Sequence, residues 1–279
     1  MKTEEYDIQI GDHLGRQQNH IWSAEEVQDI RSNLYKHRPT SLTDHAMNKL
    51  MYGLYHSFNF ITGYKHDNPT VKSIEWRLIV LESVAGVPGF IAAGFRHFRS
   101  LRTLRRDHGW ILTLLEEAEN ERMHLITCMT MFDANLTTRA MVVAAQVTLA
   151  PFLFTLYFFH PKAMHRFVGY LEETAVHTYC NILNHIETPG TKLNLEWANL
   201  PAPPIAIGYW RLSRNAKWID ALKCMMADEA HHRDVNHTFA ILPSDDPNPF
   251  LERHKEDAAK AWRLENSGQA CWESKGMAI

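Results

Sequence analysis

The chain has 279 residues, 45% hydrophobic and 22% charged, which supplies core material for one large domain or two small ones. A formal net charge of −3 excludes a global cationic field for nucleic acid. The four cysteines (Cys128, Cys180, Cys224, Cys271) form no CxxC or CxxH pair, which argues for a reducing compartment and against a disulfide scaffold or a thiolate metal site.

In chain order, the opening MKTEEYDIQIGDHLG has neither the apolar run of a signal peptide nor the Arg/Ser-rich, acid-poor pattern of a presequence. Residues 1–41 are polar and weakly periodic, an extended arm with one short helix around 23–36. A helical pattern over 42–64 closes at the turn signal HDNPT (66–70). Strong helical periodicity follows over 71–97, 101–133, 160–187 and 214–240, with another apolar segment at 140–159. The Pro-punctuated stretches 188–204 and 243–249 read as connections. Period-2 runs and βαβ alternation are missing, so the predicted fold is all-α. The expected organisation is an arm (1–41), a helical domain (42–242), and a tail (243–279, with Trp262 and Trp272) packing back on it.

The apolar stripes of four of these helices carry acids. In 78–95, Glu82 is the only ionisable group. In 101–133, Glu121 falls on the stripe between Ala118 and Leu125, with His124 one turn along; Glu116, Glu117 and Glu119 are expected mostly off it. In 167–183, Glu172 adjoins the inner face and Glu173 is turned further away. In ADEAHHRDVNH (227–237), Glu229 and His232 share the inner face, about 60° apart, while His231 and Arg233 should flank it or face outward.

One such acid is ordinarily a satisfied structural residue. Four helices in the order Glu, Glu-x-x-His, Glu, Glu-x-x-His are different. Each carboxylate taken from water unpaired costs several kcal/mol, and no matching set of inward Lys or Arg is visible. Two divalent metals would neutralise four carboxylates. Oxygen-rich ligation with one imidazole per ion suits iron or manganese better than zinc or calcium. The pattern is that of a ferritin-like antiparallel four-helix bundle with a di-iron carboxylate centre.

The segments LESVAGVPG (81–89), EEAENERMHL (116–125), LEETAVHTY (171–179) and ADEAHHRDVNH (227–237) resemble, in order, the four signature segments of the alternative oxidases, which are cyanide-insensitive di-iron ubiquinol oxidases. The resemblance implies two iron ions held by Glu82, Glu121, His124, Glu172, Glu229 and His232. It further implies Tyr179 as a redox-active tyrosine beside the metals, Arg77, Leu81 and Thr178 (with Tyr179) as the quinol pocket, and Asn120, His165 and Asp228 as residues hydrogen-bonding near the ligands. The third segment usually reads LEEEA, and here Thr174 replaces the third Glu. That leaves ligation by Glu172 unaffected but removes a charge from any proton route or quinol contact there. No cysteine precedes Cys128, so thiol regulation of the plant type is not expected.

The apolar runs 78–95 and 140–159 suggest a membrane. The second is long enough to span one, yet it holds Gln146, Thr148 and Pro151, and the first holds Glu82. Lying in one leaflet fits better, with Arg96, Arg99, Arg102, Arg105, Arg106, Arg139, Lys162 and Arg166 set for anionic headgroups. The resemblance also implies a monotopic homodimer on the matrix side of the mitochondrial inner membrane, or on the cytoplasmic membrane of a bacterium, with no nucleic-acid partner. The expected reaction couples oxidation of two ubiquinols to four-electron reduction of O2 to water in a respiratory chain, without proton pumping. Rival readings are a di-iron quinone-ring hydroxylase, a plastid-type quinol oxidase (whose insertion near the last motif is not seen), and a ferritin-like iron-oxidising protein, which the basic-flanked apolar helices disfavour.

Overall fold

The computed structural model describes residues 21–251 together with Glu256, Ala259 and Arg263. Within them no strand occurs, only a lone antiparallel bridge between Pro201 and Lys217, so the all-α expectation holds. The arm carries α1 (Ala24–Ser32), and α2 (Leu42–Thr62) follows. Ser41 and Asp44 open α2 as a reciprocal capping box, which satisfies amide groups that the first turn leaves without partners. The stretch expected as one helix over 71–97 is α3 (Val71–Ala85) and α4 (Val87–Thr103), interrupted at Gly86 with Pro88 in the following turn. Gly89 is required by close packing: a Cβ there would lie 2.5 Å from the Leu114 carbonyl oxygen.

The stretch expected over 101–133 is also divided. Leu104 and His108 adopt left-handed backbone (φ 52° and 59°), which ends α4, and α5 (Trp110–Met131) begins after Gly109. Only His160 separates α6 (Leu136–Phe159) from α7 (Pro161–Glu187). The connection after α7 contains two short helices, α8 (Lys192–Trp197) and α9 (Pro204–Tyr209), before α10 (Trp218–Ile241).

Two apolar clusters fix the directions of the bundle helices. The first takes Ile74, Leu78 and Ile79 from α3, Cys128 from α5, Val176–Ile186 positions from α7 and Trp218–Ala230 positions from α10. The second takes Ala92 and Ala93 from α4, Trp110 and Leu114 from α5, Phe167 and Tyr170 from α7, and Val235 and Phe239 from α10. The chain runs from the first cluster to the second along α3/α4 and α10, and from the second to the first along α5 and α7. Two helices therefore oppose two, and each passes through a polar layer between the clusters.

α2 and α6 lie outside this four-helix core. α6 is apolar yet almost wholly uncovered, with Val143, Val147, Phe154, Phe158 and Phe159 exposed, and α2 exposes Tyr52, Leu54, Phe60 and Ile61. By length and composition alone, Val71–Thr103 and Leu136–Phe159 are both able to cross a membrane, but more than half of the former is covered by the rest of the fold.

Several inward and outward assignments are corrected. Glu117, His231, Arg233 and Glu173 are buried, because neighbouring segments cover faces that a lone helix would leave open. Tyr35 of the arm lies under Arg233 at 4.0 Å, the arm amide of His37 donates to Glu173 at 2.8 Å, and Phe250 packs edge-on against His231. Arg96 and Arg166 do not face outward either: each is buried and ion-paired, Arg96 to Asp107 at 2.6 Å and Arg166 to Asp44 at 2.7 Å. Asn248 secures the start of the tail, donating to Gly109 O and Thr113 Oγ1. Trp262 and Trp272 lie outside the described residues.

Candidate metal centre

The polar layer is where Glu82, Glu121, His124, Glu172, Glu229 and His232 meet, none more than 6% exposed. Glu82, Glu121, His124 and Glu229 each offer a ligand atom, and all four atoms lie within 4.8 Å of one another. His124 Nδ1 stands 3.3 Å from Glu229 Oε1, 3.4 Å from Glu121 Oε2 and 3.5 Å from Glu82 Oε2. His232 Nδ1 approaches Glu121 Oε1 at 2.6 Å, so Glu121 faces a different imidazole with each oxygen. Glu172 is brought against Glu229 from α7.

Their donor atoms are of a kind and placement that could hold metal. Glu82 Oε2, both Glu121 oxygens, His124 Nδ1, Glu229 Oε2 and His232 Nδ1 are buried and have no hydrogen-bond partner outside the layer, although buried polar atoms are nearly always bonded. They converge instead on one another. Without cations, protons balance the charge. Burial, then the charges of Glu229 and Glu121, push Glu82 up to about 8, and the same influences lift Glu172 well above the carboxylate range. Burial works upward on Glu121 too, but His124 and His232 outweigh it and hold its carboxyl low. Burial works downward on His232, yet its contact with Glu121 raises it to about 9.

The opposite nitrogen of His124 is fixed. Nε2 lies 3.1 Å from Asp228 Oδ2, and Asp228 also accepts from Trp22 Nε1 (2.6 Å), Trp210 Nε1 (2.8 Å) and Asn120 Nδ2 (3.0 Å). The Asp228 carboxylate faces Nε2 and so keeps an N–H there, which turns Nδ1 into the layer. Asn120 lies one step behind His124, through Asp228. His165 is further back: its Nδ1 meets Asn236 Oδ1 at 2.9 Å, and Asn236 donates to Glu117 and to the His232 carbonyl. Glu117, pushed up to about 7 chiefly by burial, is an additional acid beside the layer.

A cavity of about 240 Å³ leads from the exposed faces of α2 and α6 to the layer. Glu82, Glu172, Glu229 and Tyr179 close its inner end, and Leu81, Thr178 and Arg77 lie along it. Tyr179 donates to Glu82 Oε1 at 2.7 Å. Arg77 is buried rather than a surface cation, bonded to Asn59 Oδ1 at 2.6 Å and stacked on the Tyr64 ring at 4.6 Å. Thr174 also lines the cavity, its hydroxyl turned back to the Tyr170 carbonyl. Nothing in the sequence marks Trp22 or Trp210, and Glu117, expected mostly off the stripe, is buried beside the layer. Glu117 alone had a local signal, being four residues before Glu121 and only about 40° away around the helix.

Comparison with known proteins agrees with this geometry. The family model described as Alternative oxidase matches residues 22–241. The chain is 38% identical over 269 residues to "Alternative oxidase, mitochondrial" of Cryptococcus neoformans var. grubii, covering 88% of this chain and 66% of the relative. It is 42% identical over 258 residues to the protein of that name from Monilinia fructicola (84% and 71%), and 44% over 213 residues to that of Ajellomyces capsulatus (71% and 59%). The chain therefore spans roughly two thirds of the length of these relatives.

Proposed function

This chain belongs to the alternative oxidase family, and we propose that it is a ubiquinol oxidase joining oxidation of two ubiquinols to four-electron reduction of O2 to water. The observation that carries the reading is the set of inward ligand atoms with no partner beyond one another at the inner end of an apolar cavity. Two iron ions would be held by Glu82, Glu121, His124, Glu172, Glu229 and His232, and when bound they supply the electron storage and oxygen chemistry.

The protein's own groups do the rest. The apolar walls exclude water, and Leu81, Arg77 and Thr178 orient the quinol ring toward Glu82 and Tyr179. Tyr179 holds a proton at its hydroxyl, directed at Glu82 Oε1, where it can be passed inward. Asp228 keeps His124 in one tautomer, and Asn236 fixes Glu117 beside His232. The exposed faces of α2 and α6 support an interfacial, monotopic seat in one leaflet, so a long-tailed quinol reaches the cavity from lipid. The names of the relatives support a mitochondrial location; a seat on the matrix side of the inner membrane and a homodimer complete the proposal.

The test is oxygen uptake by iron-loaded protein with a short-chain ubiquinol, with and without cyanide. Cyanide-resistant, quinol-dependent uptake is expected; its absence sinks the oxidase reading, and a hydroxylated ring product favours the hydroxylase. Glu121→Ala is expected to lose iron and activity together.

A further inference from the structure

A second cavity, of about 430 Å³, lies where the end of α4 meets the junction of α6 and α7. One wall is aromatic: Phe95 packs on Tyr157 at 5.3 Å and on Phe158 at 6.1 Å. The other is cationic, with Arg96, Arg99, Arg102 and Lys162, and no Asp or Glu lines the cavity. Arg96 and Arg99 are already answered, by Asp107 at 2.6 Å and Asp245 at 2.7 Å. Lys162 gives one N–H to the Ile241 carbonyl and keeps two, and Arg102 has no ion-pair partner among the described residues. The positive end of α7, 27 residues long, begins here with no side-chain cap. His165 also lines the cavity, 2% exposed, with no hydrogen bond at Nε2.

Unanswered positive charge at an aromatic recess suits a phosphate ester. The surroundings say which kind. Phe158 and Phe159 are 60% and 66% exposed and continue the bare apolar surface of α6, so a ligand anchored here by phosphate has hydrocarbon-like surface beside it. An ammonium-bearing headgroup would meet the same cations and be repelled.

We infer that this cavity binds the headgroup of an acidic phospholipid, with Arg102 and Lys162 holding the phosphate and the acyl chains lying on Phe158 and Phe159. The inference rests on the interfacial part of the proposed function and not on the redox reaction.

The test uses the full chain in nanodiscs of phosphatidylcholine with or without one-third phosphatidylglycerol, followed by native mass spectrometry. Wild type is expected to retain one phosphatidylglycerol per chain. Arg102→Gln with Lys162→Gln should lower retention roughly tenfold, while Arg105→Gln with Arg106→Gln, an equal charge loss outside the cavity lining, should leave it within about twofold. Equal loss in both double variants overturns the site in favour of a general surface field. Displacement of the lipid by soluble glycerol phosphate at matched concentration overturns the lipid assignment. Oxygen uptake with short-chain ubiquinol in neutral detergent should be the same in both variants and wild type; if wild type shows none, the oxidase reading fails while the lipid result stands.

Discussion

The Tyr179 hydroxyl lies 2.7 Å from Glu82 Oε1, donating to a carboxylate whose other oxygen faces His124. The bond ties a residue at the end of the apolar cavity to the acid layer. Tyr179→Phe keeps the ring and its packing and removes only the donor. We expect iron content unchanged and quinol-dependent oxygen uptake down at least tenfold, measured by metal analysis and an oxygen electrode on the same preparation. Full activity in Tyr179→Phe would remove the tyrosine from the mechanism.

Asp228 is the acceptor for two indoles, one amide and His124, all out of solvent. Asp228→Ala strands those donors, so stability should fall by about 3 kcal/mol or more in urea titration. Asp228→Asn keeps the shape but loses the charge that orders the imidazole, and iron affinity should drop about 10- to 100-fold. Wild-type affinity in Asp228→Asn would show that the tautomer is set elsewhere.

Iron should also stabilise the fold, because only the native layer presents all its ligands together. Removal by chelation is expected to lower the melting midpoint by about 10 °C, corresponding to several kcal/mol at about 3 °C per kcal/mol for a domain of this size. In Glu121→Ala the chelator should move the midpoint far less.

Gly169 on α7 faces α10 so closely that a Cβ would fall 2.5 Å from His237 Nδ1. His237 is held by Arg166 at 2.8 Å and stacked on His37 at 4.5 Å, so it has little room to yield. Gly169→Ala should therefore cost about 1–3 kcal/mol. Adding His237→Ala should recover part of the loss caused by the methyl group, a non-additivity that a double-mutant cycle measures.

Asp44 provides a pH signature outside the acid layer. Burial raises its carboxyl, but the Thr40 amide and hydroxyl and the Arg166 guanidinium outweigh that and hold it at about 2, against 3.8 for the free group. A depressed folded value means the stabilisation is complete above about pH 4 and is lost as pH falls toward 2, amounting to roughly 2 kcal/mol. Asp44→Asn should lower stability at pH 7 and flatten its fall between pH 4 and 2, read from denaturation midpoints across that window.

The acids and histidines of the layer were legible because each sits on an apolar stripe, where a helical period of 3.6 reveals a charge out of place. Helix type was legible for the same reason, but the breaks were not: Gly86 lies inside continuous apolar periodicity, and Leu104 lies in an Arg-rich run with no Gly or Pro until Gly109. Glu117, His231 and Arg233 escaped because their burial depends on Asn236, the arm and residue Phe250 rather than on their own helix. The indoles of Trp22 and Trp210 escaped more completely: nothing near them in sequence marks a partner 206 or 18 residues away.

That long reach has a consequence for how the protein is made. Trp22 leaves the ribosome far ahead of Asp228, and the indole near the start of the chain has no carboxylate to dock on until α10 has been synthesised. Closure of the acid layer from this side therefore waits until α10 exists, which couples the order of synthesis to the order in which the layer can assemble.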